Sequence, residues 1–206
     1  MTEEKIYFFS NTIKLEGLLN RASGDRAVVI SHPHPLFGGS MHNGVVESIA
    51  RVYHQAGYTT LRFNFRGVGT SEGTYGEGQG EKEDVRAALQ YLCGKGKGRI
   101  DLAGYSFGAW VNLLTGLTED EVMRMILVSP PVAFLDFHLI SFTPQLKLVI
   151  VGSLDQIAPP ELIETTLPQW NPSARLEIIE GADHFYGGYT NKLESILTCY
   201  LQGEPA

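Results

Sequence analysis

The chain reads as an α/β protein with a mostly parallel central sheet, an N-terminal antiparallel hairpin and helices on both faces. Three observations lead there. Continuously apolar runs such as Ala27-Val28-Val29-Ile30 suit strands covered on both sides. Segments with apolar residues at helical spacing separate them, so strand, loop and helix alternate. The first twenty residues break that rhythm, because Ile13-Lys14-Leu15-Glu16 alternates apolar and polar as a half-buried antiparallel strand does.

Taken in order, residues 5–9 and 13–16 form the predicted hairpin around Ser10-Asn11, and residues 20–25 form a turn. Residues 41–56 place Val45, Ile49, Val52 and Ala56 on one helical face, and Gly57 is a natural stop. A strand is expected from Thr59 to Phe65, then a glycine-rich loop to Gly80. Residues 81–93 form a helix with Val85, Ala88, Leu89 and Leu92 inward. Further strands are expected at 99–103, 125–128, 146–151 and 176–179, with a short helix from Pro159-Pro160. A last helix spans about 188–202. No repeat or linker divides residues 1–206, so a single domain is expected.

Composition excludes several classes of function. The formal charge of −7, with no basic stripe, argues against a nucleic-acid partner. No apolar run approaches the ~18 residues of a membrane span, and the N-terminus lacks a basic n-region and an apolar h-region. Cys93 and Cys199 are far apart and lack CxxC or metal-site spacing, which fits a reduced, cytoplasmic setting. No cofactor is called for, because the glycines of 67–80 match neither a P-loop nor a dinucleotide fingerprint. Arg66 is expected to shape its loop through backbone hydrogen bonds.

The chemistry centres on Gly104-Tyr105-Ser106-Phe107-Gly108, set between an apolar strand and an apolar helix. Glycines flanking the serine let strand and helix approach closely and leave Ser106 at the apex of a sharp turn. In parallel sheets reactive groups gather beyond the carboxyl ends of the strands. Asp155 follows the strand ending at Val151, and His184 follows the strand ending at Ile179. A hydroxyl is a poor nucleophile until a base takes its proton, and an imidazole with an ordinary pKa near ~6.5 suits that task. A carboxylate on the other ring nitrogen then fixes the tautomer and stabilises the imidazolium. Asp136 and Asp183 are rivals for that role, and the loop context favours Asp155.

In the order Ser106, Asp155, His184, with the loop Arg66-Gly-Val-Gly-Thr-Ser-Glu-Gly73, the chain resembles the α/β-hydrolase family. It looks most like small uncapped members of the dienelactone-hydrolase and short-carboxylesterase kind. The resemblance covers nearly the whole chain. It implies an α/β-hydrolase fold without a cap domain, since only residues 130–145 lie where a lid is often inserted. It also implies a serine hydrolase that cleaves small carboxylic esters through an acyl-enzyme. Alternatives are a thioesterase or peptidase on the same triad, or a non-catalytic binding protein of the same fold. The expected partner is a small-molecule ester, with no nucleic acid and no membrane, and homo-oligomerisation is left open.

An oxyanion needs backbone N–H donors. One is expected from Phe107. Pro33 and Pro35 cannot donate, so the second comes from His34, Leu36 or Phe37. Similarity to the dienelactone-hydrolase type selects Leu36, with His34 the runner-up. Phe37, Phe134 and Phe185 are expected to contact substrate, and ordinary packing of the 130–145 loop is the competing account. His32-Pro33-His34 also suits a metal-dependent amidohydrolase built on an eight-unit barrel. Too few further ligands stand at later strand ends and the chain is short for that fold, so no metal is expected. His42, His54 and His138 are read as surface or packing residues.

Overall fold

A computed structural model describes residues 3–116, 122–138, 140 and 142–203. Its eight strands are β1 (Glu4–Ser10), β2 (Ile13–Asn20), β3 (Arg26–Ser31), β4 (Thr59–Phe63), β5 (Arg99–Tyr105), β6 (Val122–Val128), β7 (Leu146–Gly152) and β8 (Arg175–Ile179). The helices are α1 (Gly44–Gln55), α2 (Gln79–Cys93), α3 (Phe107–Gly116), α4 (Pro160–Trp170) and α5 (Thr190–Gln202). The sheet order is β1-β2-β4-β3-β5-β6-β7-β8. β1 pairs antiparallel with β2, and β2 antiparallel with β4. Every later pairing is parallel.

Alternation along the central strands explains the two layers of helix. In β3, Ala27 and Val29 face one apolar cluster with residues of α2, α3 and α4. Val28 and Ile30 face the other, with residues of α1 and α5. Successive side chains on a strand point to opposite faces, so an all-apolar strand requires cover on both. All four residues are fully buried. No helix among the described residues is long and apolar enough to cross a membrane.

Element ends differ from the sequence reading where a side chain competes for the backbone. The first helix starts at Gly44 rather than 41, because Asn43 Oδ1 accepts the Val45 N–H at 2.9 Å. β4 stops at Phe63 rather than 65. Asn64 instead accepts the Met41 N–H on Oδ1 and donates from Nδ2 to Glu16. Between β6 and β7 the described residues form no helix or strand, and no cap domain is present. Phe137 stacks on Trp170 at 5.1 Å between centroids, and Ile140 is buried beside it. Val132 and Leu135 are partly buried against the same cluster, whereas Phe134 and Phe142 stay exposed. Leu139 lies outside the described residues.

Arg66 shapes its loop by a different means from the one expected. Its guanidinium reaches Asp84 of α2 at 2.6 Å, and its own backbone N–H donates to the same carboxylate at 3.0 Å. The pair is nearly buried, which raises the cost of separating it. Arg66→Met is expected to destabilise the fold by about 3 kcal/mol in urea denaturation, because it strands a buried carboxylate. Arg66→Met with Asp84→Leu should lose less than Arg66→Met alone.

Candidate active site

The turn after β5 is forced by close packing. A Cβ on Gly104 would lie 2.6 Å from Gly108 C, and one on Gly108 would lie 2.5 Å from Ser31 O at the end of β3. Real Cβ atoms do not approach so closely, so both positions require glycine. Between them Ser106 takes a φ of 55°, a left-handed conformation uncommon outside glycine. Its N–H is tied to Val128 O at 2.9 Å, which locks the turn to the neighbouring strand.

Two further loops meet Ser106. His184 Nε2 lies 3.0 Å from Ser106 Oγ, and His184 Nδ1 lies 2.9 and 3.0 Å from the two Asp155 oxygens. All three residues are buried. Asp155 Oδ1 also accepts the N–H groups of Ile157 and Ala158, at 2.9 and 2.8 Å. Burial pushes the Asp155 carboxyl up, but hydrogen bonds from His184, Ala158 and Ser129 outweigh it and hold it below the usual range. The aspartate and histidine loops touch because Gly152 has no side chain; a Cβ there would lie 2.2 Å from Ala182 O. The Tyr105 hydroxyl donates to His184 O at 2.7 Å and steadies the histidine loop.

The rival carboxylates are engaged elsewhere. Asp183 accepts the Phe185 N–H at 3.0 Å, and Asp136 accepts the His138 N–H at 2.8 Å. Two further residues complete the support, and one of them, Tyr186, is fully buried rather than a wall of an acyl pocket. Ser129 directly follows β6 with a φ of 46°, and its Oγ lies 2.8 Å from Tyr186 Oη. The Tyr186 hydroxyl also donates to Ile150 O at 3.3 Å, so the histidine loop is tied to the end of β6 and to β7. Ser129 stands just past an apolar strand, so the strand-end rule applied to every strand would have found it.

The loop after β3 corrects one expectation. Residues Pro35–Phe37 form a single 3₁₀ turn, and the Leu36 N–H donates to His34 Nδ1 at 3.2 Å. Phe37 N–H donates to His34 O at 3.1 Å. Neither Leu36 nor Phe37 is therefore available as the second donor. His34 N–H has no acceptor among the described residues, and Phe107 N–H at the first position of α3 has none either. The rings of His34 and Phe107 stand 4.8 Å apart, so the loop after β3 packs against the start of α3. A histidine ring can cap a turn two residues ahead of itself, and here it takes the Leu36 N–H.

His32 and His34 do not form a metal site with each other. His32 donates from Nδ1 to Pro33 O at 2.6 Å and accepts the Phe65 N–H on Nε2 at 3.0 Å, so both nitrogens are in use. Among the described residues no group of three or more His, Cys, Asp or Glu is arranged to hold a metal ion. Phe37, Phe134 and Phe185 are 86, 71 and 72% exposed, so they do not line a closed pocket. With the exposed Leu36 and Leu154 they form an apolar rim on the loops at this end of the sheet.

Known proteins fit this geometry. Residues 23–170 match the family model described as serine aminopeptidase, S33. The chain belongs to that family. It is 34% identical to an α/β serine hydrolase homologue from Coxiella burnetii, with a TM-score of 0.91 and 98% of each chain covered. It is 30% identical to a lidless α/β serine hydrolase from Xanthomonas campestris, with a TM-score of 0.88, covering 100% of this chain and 97% of the other. An uncharacterized protein of Rickettsia prowazekii is 32% identical over 96% of this chain and 88% of its own length. The chain is thus a small uncapped member of the α/β serine hydrolases.

Burial holds the His32 imidazole down at about 4, so the fold favours its neutral form. An imidazole of ordinary pKa in the unfolded chain then contributes stability that is complete above pH ~6.5. That stability is lost as the pH falls towards 4, on the order of 3 kcal/mol for His32 alone. Histidine NMR should find this ring still neutral at pH 5.5, while the urea midpoint declines from pH 7 to 4.5.

Proposed function

We propose that this protein hydrolyses small carboxylic esters through an acyl-enzyme at Ser106. The observation that carries the reading is the unbroken contact from Ser106 Oγ to His184 Nε2, and from His184 Nδ1 to Asp155, at 3.0 and 2.9 Å. As Ser106 Oγ attacks the carbonyl carbon, its proton passes to His184 Nε2, and the carbonyl electron pair moves to oxygen. The N–H groups of Phe107 and His34 receive that oxyanion. Collapse of the adduct expels the alcohol, protonated by His184, and a water molecule then repeats the cycle on the acyl-serine. Asp155 keeps the Nδ1–H tautomer and stabilises the imidazolium. No cofactor enters these steps.

The apolar rim supports an ester with an apolar acyl group. Phe37, Phe134 and Phe185 are mostly exposed, and the loops they stand on carry no cap. Covering part of a phenylalanine with an acyl chain gains about 1–2 kcal/mol. The separation of Cys93 and Cys199 supports a reducing, cytoplasmic setting.

A fluorophosphonate probe should label the wild-type protein at Ser106 and leave Ser106→Ala unmodified. On p-nitrophenyl acetate, Ser106→Ala or His184→Ala should lower kcat by about 10⁶, and Asp155→Asn by about 10⁴. A wild-type protein that is neither labelled nor active would be a binding protein on a hydrolase fold, and the ester reading would be abandoned. Thioester and amide substrates run in parallel decide whether esters are preferred. Phe37→Ser and Phe185→Ser should each raise KM for a hexanoyl ester about 5–10-fold, and for an acetyl ester less than ~2-fold.

A further inference from the structure

Two sequence motifs stand outside the Ser-His-Asp contact, the His-x-His at 32–34 and the glycine-rich loop ending at Gly80. They meet at Tyr75. Its Oη lies 3.2 Å from His34 Nε2, and the two rings are 5.0 Å apart. The direction of this bond follows from the other nitrogen. Because His34 Nδ1 accepts the Leu36 N–H, it carries a lone pair. The neutral ring then bears its proton on Nε2 and donates to Tyr75 Oη. Phe37 and Phe107 pack on the same imidazole at 4.7 and 4.8 Å.

Tyr75 is itself held from below. Glu81, fully buried in the first turn of α2, accepts the N–H groups of Gly76 and Gly78, each at 2.8 Å. Gly78 has a φ of +86° and a Cβ there would lie 2.2 Å from the Trp110 ring, so this loop is seated against α3. A carboxylate anchored at a helix N-terminus thereby sets where the aromatic ring projects.

We propose that Tyr75 is a positioning residue for the second oxyanion donor: it orients the His34 ring, and the ring fixes the turn that aims the His34 N–H. The proposal rests on the ester-hydrolase reading and adds to it a residue that touches neither substrate nor triad. An oxyanion donor counts only when it sits within hydrogen-bond distance of the developing charge, and a displacement near 1 Å costs about 100-fold in rate. Loss of the ring should therefore act on kcat rather than on ground-state binding. His34 side-chain substitutions leave its backbone N–H in place, which separates aiming from donating.

The test compares Tyr75→Phe, His34→Ala and His34→Asn on p-nitrophenyl acetate, with thermal midpoints measured on each. Tyr75→Phe should lower kcat about 10-fold and His34→Ala about 100-fold, with KM changed less than ~3-fold. His34→Asn should recover about 10-fold of the His34→Ala loss. An asparagine oxygen can take the Leu36 N–H as Asn43 takes that of Val45 in this same protein. Tyr75→Phe at wild-type kcat, or His34→Asn no better than His34→Ala, overturns the proposal while the active wild type keeps the ester reading intact. A kcat loss that follows a fall in thermal midpoint overturns it as well, because the effect is then general loosening. An inactive, unlabelled wild type removes both.

Discussion

Everything at the candidate site depends on the contact between the start of α3 and the end of β3. Gly108 lies so close to Ser31 that no side chain fits, and Gly104 lies as close to Gly108. That contact drives Ser106 into a left-handed conformation and holds it at the strand ends. The same approach brings the loop after β3 against Phe107, so one packing constraint holds Ser106 and sets the His34 ring beside α3. The cost of the unusual backbone is carried by apolar burial on both faces of the sheet, where the C-terminal halves of β3, β5 and β6 are buried.

Around that point the protein ties down each loop by hydrogen bonds from its neighbours. Asp155 receives two backbone N–H groups besides His184, Ser129 joins the end of β6 to the histidine loop, and Tyr105 holds the histidine carbonyl. His32 links the β3 loop to the end of β4 through Phe65. Side chains held by several partners lose little further freedom when a substrate arrives, which is what a preorganised site requires. The contrast lies in the rim, where large apolar side chains stand exposed and nothing folds over them.

The carboxylates show how environment separates chemically identical groups. Asp84 serves Arg66, Glu81 caps the turn that carries Tyr75, Asp183 closes its own loop, and Asp155 faces an imidazole. Glu16 is drawn down to about 2, where hydrogen bonds from Thr70, Lys5 and Asn64 outweigh its desolvation. Composition alone treats these groups as equal contributors to the net charge. Only their partners distinguish a structural carboxylate from one in contact with a candidate base.

Sequence by itself determined the alternation of strand and helix and the antiparallel start, and it singled out Ser106, Asp155 and His184, which the fold brings within hydrogen-bond distance. These rest on local periodicity and on loops that directly follow apolar strands, and both are read within a few residues. What only the tertiary structure decided is which backbone donor is left over and which aromatics are exposed. The Leu36 N–H is taken by the His34 ring. Phe137 and Phe134 are three residues apart, yet one stacks on Trp170 and the other stands in solvent. Tyr75 meets His34 across 41 positions of chain. Such contacts are set by how the sheet brings distant loops to one edge, and no spacing along the sequence encodes them.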